Sequence, residues 1–138
     1  MADRRPRVWV SQPLFDDTVA QLSGYCDVVA TEQVSAHSAA ELAAQLTDVD
    51  GALVTLNDRI GADEIANAPA LKMIANVGVG YNNLDIPALS AAGIVASNTP
   101  DVLTETTADL GFSLLMAAAR RIVESDRWLR DGKWGQWS

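Results

Sequence analysis

Short apolar runs alternate with helical patterns through most of this chain. Each run is rich in valine, isoleucine or leucine and is short, so the pattern predicts β-strands separated by α-helices. The predicted strands are Val8–Val10, Asp27–Ala30, Ala52–Leu56, Lys72–Asn76 and Ile94–Ala96, and the predicted helices are Asp16–Leu22, Ser38–Leu46, Ala62–Asn67 and Ile86–Ala92.

Residues that favour helix ends support these boundaries. Ser38 followed by Glu41 has the spacing of a capping box, and Asp85 is placed to cap the helix that begins at Ile86. Gly93 stands where a helix would end in a left-handed residue. Strict alternation predicts parallel strands with right-handed crossovers and helices on both faces. We therefore predict an α/β fold with a flavodoxin-like, doubly wound, parallel five-stranded sheet ordered 2-1-3-4-5.

The segment Thr104–Arg130 departs from this alternation and predicts one long C-terminal helix. At 1.5 Å per residue such a helix is roughly 40 Å long, more than the edge of a five-stranded domain needs. Its middle, Leu110–Ala119, is apolar almost all round and therefore needs cover on both sides. Two tryptophans follow it, Trp134 and Trp137, and exposed indoles indicate docking onto another surface.

Composition and charge narrow the function classes. The chain has 138 residues, of which 49% are hydrophobic, and a net charge of −8. We assign residues 1–99 to the sheet domain and residues 100–138 to an interdomain or dimerisation helix and tail. From Val8 to Ala119 the only basic side chains are Arg59 and Lys72, which argues against a surface that binds nucleic acid.

The cysteine content and the hydropathy of the chain indicate where in the cell the protein is expected. The single cysteine, Cys26, excludes an internal disulfide and suits a reducing cytosol, so a cytoplasmic location is expected. We expect this thiol to be buried and inert. The longest strongly apolar run is too short to span a bilayer, so no membrane association is predicted.

Two glycines, Gly78 and Gly80, follow the fourth predicted strand within the string Asn76–Asp85. Such a turn can expose backbone N–H groups that take up an anion, for example a carboxylate. The string is not a dinucleotide fingerprint, because Asn83 occupies the third glycine position and no acidic residue ends a following strand at the expected distance. Two glycines by themselves also fit an ordinary turn.

Other candidate groups give weaker signals. His37 is the only histidine and has no carboxylate nearby in the sequence, so we expect a solvated loop side chain and no metal site. The pair Asp16-Asp17 does not directly follow the first strand, which excludes the phosphoacceptor arrangement of receiver domains.

Read together, Asn76–Asp85 and Asn98–Asp109 resemble the substrate-side domain of the D-isomer-specific 2-hydroxyacid dehydrogenases. The branch most similar is that of the glyoxylate, hydroxypyruvate and 2-ketogluconate reductases. Ala119–Glu124 also matches this branch, and the resemblance covers essentially the whole chain. It implies an oxidoreductase that uses NAD or NADP to reduce a small 2-oxo acid to the D-2-hydroxy acid.

The resemblance also implies roles for three residues. The backbone N–H groups of Val79 and Gly80 would hold the substrate carboxylate. Val79 would also lie beside the nicotinamide end of the cofactor, and Thr107 would be placed against NAD(P). The helix Thr104–Arg130 would contribute to a homodimer contact.

The resembled family performs its chemistry with groups from a larger nucleotide domain. These are a glycine-rich fingerprint, a catalytic arginine and a catalytic histidine paired with a glutamate. By the resemblance, they belong to the nucleotide domain and have no counterpart in these 138 residues. We therefore assign no catalytic residue here, and we expect a truncated or proteolysed piece that is inactive alone. The alternative is a non-catalytic module for small-acid binding or for assembly.

Overall fold

The computed structural model describes residues 4–136. It divides into two compact units, one that runs up to Pro100 and one that begins at Asp101. Within the described residues, the first unit contains five strands and four helices, and the second contains two helices.

The first unit is a parallel five-stranded sheet in the order β2-β1-β3-β4-β5, so the predicted fold class and strand order are confirmed. Helices join successive strands, as crossovers between parallel strands require. The strands are β1 (Arg7–Val10), β2 (Asp27–Ala30), β3 (Gly51–Thr55), β4 (Met73–Val77) and β5 (Val95–Ser97), and the helices are α1 (Asp16–Ser23), α2 (Ala39–Leu46), α3 (Ala62–Ala66) and α4 (Ile86–Ala91).

The predicted helix ends are confirmed. Ser38 and Glu41 form a reciprocal capping box at the start of α2. The Asp85 carboxylate accepts a hydrogen bond from the backbone N–H of Ala88 at 3.0 Å and caps α4. Gly93 follows α4 with φ of +71°, in the left-handed region that glycine adopts at little cost.

The core lies between the central strands and the helices packed on them. Trp9, Val54 and Ile74 come from β1, β3 and β4, and Leu42 and Leu46 come from α2; all five side chains are fully buried. Burying a large apolar side chain contributes about 1.5–3 kcal/mol, so these positions hold the sheet against its helices.

Asp50 connects residues that lie near the amino-terminal ends of the strands. Its carboxylate accepts hydrogen bonds from Arg4 at 2.8 and 2.9 Å and from the Arg7 backbone N–H at 2.8 Å, and Lys72 lies 3.5 Å away. The Arg7 hydrogen bond is the main reason that the pKa of Asp50 lies below its ordinary value, and Arg4 and Lys72 add to that effect against burial. Lys72 therefore lies where the strands begin, at the opposite end of β4 from Gly78 and Gly80.

The second unit differs from the single long helix that the sequence predicts. It consists of α5 (Thr104–Ala119) and α6 (Ile122–Arg130), and that prediction is wrong at Arg121, whose φ of 51° is left-handed. One left-handed residue interrupts the helical backbone conformation, so α5 and α6 are separate helices.

Aromatic packing follows α6. Trp134 contacts Trp128 edge-on, with ring centroids 5.9 Å apart, while Trp137 lies outside the described residues. None of the helices found within residues 4–136 combines the length and hydropathy that crossing a membrane requires.

Candidate functional site

All five strands run the same way, so their carboxyl ends meet at one edge of the sheet, where doubly wound folds bind ligands. Residues 78–80, which we call the glycine turn, follow β4 at this edge. The segment Asn98–Thr99 follows the neighbouring strand β5 and runs beside the turn, because the Thr99 N–H donates to the carbonyl oxygen of Gly78 at 3.0 Å.

Every carbonyl of the glycine turn accepts a hydrogen bond from within the domain. Besides the Thr99 contact to Gly78, the Asn98 side-chain amide donates to the carbonyl oxygen of Val79 at 2.8 Å. The Asn76 side-chain amide donates to the carbonyl oxygen of Gly80 at 2.9 Å. Three successive peptide groups are thus held through their oxygens.

The N–H groups of the same turn are not used in this way. Within residues 4–136, no acceptor is hydrogen-bonded to the backbone N–H of Val79 or Gly80. Val79 is 41% exposed, and a Cβ built on Gly80 meets no atom within 4 Å. The turn therefore offers two adjacent donors with open space beside them, which is the arrangement of an anion-binding concavity.

The two glycines serve different purposes. A Cβ built on Gly78 would lie 2.6 Å from Cδ2 of Leu56, so the absence of a side chain lets β4 run close to the end of β3. Gly80 has no such neighbour. Its φ, like that of Gly78, is outside the left-handed region, so the turn does not depend on a conformation reserved for glycine.

Two asparagine side chains connect the turn to the end of β3. The Asn83 amide donates to the carbonyl oxygens of Thr55 at 3.2 Å and Asp58 at 3.0 Å, and to the Asn76 side-chain oxygen at 3.1 Å. Asn76 is buried and passes this connection on to Gly80. Sequence reasoning missed both roles, although a position near the carboxyl end of β4 for Asn76, and a position in the segment that follows β4 for Asn83, are usable signals.

His37 is placed differently from the solvated side chain that the sequence predicts, and that prediction is wrong. Its side chain is only 4% exposed, and its Nδ1 lies 3.1 Å from the Asp58 carboxylate. The ring also meets Trp9 edge-on, with centroids 5.1 Å apart. The sequence around His37 gives no sign of this partner, because Asp58 follows β3 and lies twenty-one positions further along the chain.

Asp58 is the centre of a buried polar cluster. Its carboxylate accepts hydrogen bonds from the Ser11 hydroxyl at 2.5 Å, the Thr55 N–H at 3.0 Å and the Thr55 hydroxyl at 3.2 Å, besides the His37 contact. Burial on its own raises the pKa of this carboxyl, but the hydrogen bonds together outweigh burial and bring the pKa below its ordinary value. The cluster therefore favours the ionised carboxylate.

Thr107 and Cys26 complete the set of predicted residues. Thr107 lies in the first turn of α5, its backbone N–H donates to Leu103 at 2.9 Å, and within the described residues its hydroxyl makes no hydrogen bond. Cys26 is buried just before β2, its thiol donates to the carbonyl oxygen of Leu22 at 3.3 Å, and burial raises its pKa. A protonated, buried thiol is a poor nucleophile.

Comparison with known proteins places these features in a family. Residues 8–125 match the family model described as D-isomer specific 2-hydroxyacid dehydrogenase, catalytic domain. Over 134 residues the chain is 37% identical to a glyoxylate reductase from Aeropyrum pernix, covering 97% of this chain and 39% of that protein. The chain thus spans well under half the length of the curated relatives it matches.

Solved structures agree with this match. A protein from Thermus thermophilus superposes with a TM-score of 0.82 at 37% identity, over 96% of this chain and 42% of that one. An NADPH-dependent glyoxylate/hydroxypyruvate reductase from Sinorhizobium meliloti, solved with NADP and malonate, superposes with a TM-score of 0.73 at 35% identity, over 94% of this chain and 39% of its own. The resemblance seen in the sequence is confirmed.

Proposed function

This chain belongs to the D-isomer specific 2-hydroxyacid dehydrogenase family, and we propose that it supplies the substrate-carboxylate site of an NAD(P)H-dependent 2-oxo acid reductase. The proposed substrates are glyoxylate, hydroxypyruvate and 2-ketogluconate. A bound reduced nicotinamide would supply a hydride for the carbonyl carbon next to the carboxylate, and a proton would go to the carbonyl oxygen, which gives a 2-hydroxy acid, of D configuration where that carbon is chiral.

One observation carries the proposal. The Gly78, Val79 and Gly80 carbonyls all accept hydrogen bonds from the domain, whereas the Val79 and Gly80 N–H groups have no acceptor within the described residues. Donors that are already oriented bind an anion without a reorganisation cost, so this turn suits a carboxylate. Such a contact fixes which carbon of the substrate faces the cofactor.

Val79 and Thr107 are the residues that we propose for cofactor contact. Val79 presents an exposed apolar side chain at the ligand-binding edge, which fits the face of a nicotinamide ring. Thr107 has an exposed position and a hydroxyl without a hydrogen bond in the described part of the chain, which fits a polar cofactor group. Each of these positions would supply a single contact to the cofactor.

In this proposal, the residue that donates the proton and the positively charged residue that orients the substrate both come from outside these 138 residues. The single histidine of the chain, His37, is buried against Asp58 and Trp9, so it is committed to the fold. Lys72 lies 3.5 Å from Asp50, at the opposite end of β4 from the proposed carboxylate site. We therefore propose that the isolated 138-residue polypeptide binds the acid weakly and does not reduce it.

We also propose a homodimer and a cytoplasmic location. The apolar side chains of α5 support the dimer, since Leu110, Phe112, Leu114 and Leu115 are all at least 60% exposed in the single chain. Burying such side chains between two chains stabilises the assembly by about 1.5–3 kcal/mol for each one fully covered. A lone reduced cysteine supports the cytoplasm.

The test is a titration of the ¹⁵N-labelled 138-residue chain with glyoxylate, followed through individual backbone amides. The Val79 and Gly80 signals should shift with a dissociation constant in the millimolar range, about −4 kcal/mol. NAD(P)H oxidation by the same material should be undetectable. If the amide signals of Val79 and Gly80 do not shift at the highest soluble glyoxylate concentration, the proposed carboxylate site is refuted.

A Gly80→Val variant provides the matched control. Its side chain meets no protein atom within 4 Å of the new Cβ, so the fold should be retained. The added methyl groups occupy the space beside the free N–H groups, so the glyoxylate response should be lost while the rest of the amide spectrum is unchanged.

A further inference from the structure

Peptide geometry shows how the donors of the glycine turn are oriented. A trans peptide group is planar, so the carbonyl oxygen of one residue and the N–H of the next point in opposite directions. A contact that holds a carbonyl oxygen therefore also sets the direction of the following N–H. In this turn, the contact to Gly78 orients the Val79 N–H, and the contact to Val79 orients the Gly80 N–H.

These two orienting contacts differ in kind. The Gly78 oxygen is held by the backbone N–H of Thr99 at 3.0 Å, a contact that side-chain substitution leaves in place. The Val79 oxygen is held by the side chain of Asn98 at 2.8 Å. The Gly80 N–H thus depends on one side chain that comes from a neighbouring strand end, nineteen positions away in sequence.

We propose that Asn98 is a positioning residue for substrate binding: its amide holds the Val79 carbonyl and so aims the Gly80 N–H at the substrate carboxylate. This inference rests on the proposed function, because it needs the carboxylate to bind at the turn. Asn98 acts through the peptide group, and the N–H group is what contacts the acid.

The surroundings of Asn98 favour this role over a purely structural one. Asn98 is only partly buried, and its side chain makes no other hydrogen bond within the described residues. Gly80, at the other end of the oriented peptide, lacks a Cβ, and open space surrounds the position that a Cβ would occupy. Asn76 holds the Gly80 carbonyl oxygen, which belongs to the next peptide group. Because glycine rotates freely, the Val79–Gly80 peptide needs an external contact to keep one orientation.

The experiment is an amide-resolved titration of the 138-residue chain with glycolate, with uncharged glycolamide as the ligand control. Asn98→Ala should weaken glycolate binding roughly three- to tenfold, the range expected for one modest hydrogen bond. The Gly80 amide should lose most of its response, while the Val79 amide, still oriented by Thr99, should keep its own. A general loss of structure would not separate these two neighbours.

Two further variants sharpen the comparison. Asn98→Leu keeps a similar side-chain volume without a donor and should reproduce the alanine result. Asn82→Ala is the matched control, because Asn82 is exposed two positions after Gly80 and its side chain makes no hydrogen bond within residues 4–136. That variant should bind glycolate like the unmodified chain.

The outcomes separate this inference from the proposed function. If glycolate shifts Val79 and Gly80 equally in the unmodified chain and in both Asn98 variants, with equal affinity, the role of Asn98 is refuted and the carboxylate site stands. If neither amide responds in the unmodified chain, the carboxylate site is refuted and this inference fails with it.

Discussion

The imidazole Nδ1 of His37 lies 3.1 Å from the carboxylate of Asp58, and both side chains are almost completely shielded from solvent. The contact joins the loop before α2 to the end of β3, beside the strand ends that carry the glycine turn. A buried carboxylate without its donors is costly, so this pair contributes to the rigidity of the ligand-binding edge.

Replacing His37 by alanine should destabilise the sheet domain. The change removes a donor from a buried carboxylate and the edge-on contact with Trp9, so we expect a loss of about 1–3 kcal/mol in the free energy of unfolding. Urea unfolding followed by tryptophan fluorescence measures it. Ser35→Ala, at an exposed position in the same loop, is the control, and an equal effect of both changes would contradict the structural role of His37.

The pKa of Asp58 predicts the direction of acid sensitivity. Because this pKa is lower in the folded chain than its ordinary value, ionised Asp58 adds stability above the unfolded-state pKa, and that contribution is lost as pH falls through the folded-state pKa. The free energy of unfolding should therefore decrease below about pH 4, the usual range of an aspartate.

The comparison that isolates this effect uses Asp58→Asn. Urea unfolding from pH 6 downwards should show a smaller loss of stability with acid in this variant, although it starts from a lower value. Asp48→Asn changes an exposed carboxylate and serves as the control. A pH dependence as steep in Asp58→Asn as in the unmodified chain would show that other carboxylates govern acid unfolding.

Gly78 and Leu56 should show strong energetic coupling. A Cβ at position 78 would approach Leu56 Cδ2 to 2.6 Å, so Gly78→Ala should cost about 1 kcal/mol, the low end for overpacking, because the half-exposed Leu56 can turn aside. With Leu56→Ala already present, the same change should stabilise the fold by about 0.4–1 kcal/mol through the unfolded chain. A double-mutant cycle measures the sign change, and additive effects would rule out the contact.

The proposed dimer depends on the apolar surface of α5. Leu114→Glu combined with Leu115→Glu should convert the chain to a monomer, because two charges would have to be buried in the interface. Light scattering at micromolar concentration measures the mass in solution. Thr106→Glu with Ser125→Glu adds the same charge at polar positions and should leave the mass unchanged; a monomeric unmodified chain would overturn the proposal.

The sequence alone was sufficient for the architecture of the first unit. Alternating strand and helix patterns predicted the five strands, their parallel direction and their order, because a helix between two strands forms a crossover that joins parallel strands and has one preferred hand. The Ser38 and Asp85 caps were predictable for a similar reason, since a cap and the N–H groups it binds lie within three residues.

Only the tertiary structure decided the contacts that shape the candidate site. Asn98 meets Val79, and His37 meets Asp58, because adjacent strand ends bring together residues about twenty positions apart, and no local pattern records which side chains then face each other. The break at Arg121 is similar: arginine is a good helix former, so local propensity predicted continuity where the structure adopts a left-handed residue. Local sequence fixes what depends on near neighbours, whereas the orientation of the glycine turn depends on groups that only folding brings within hydrogen-bonding distance.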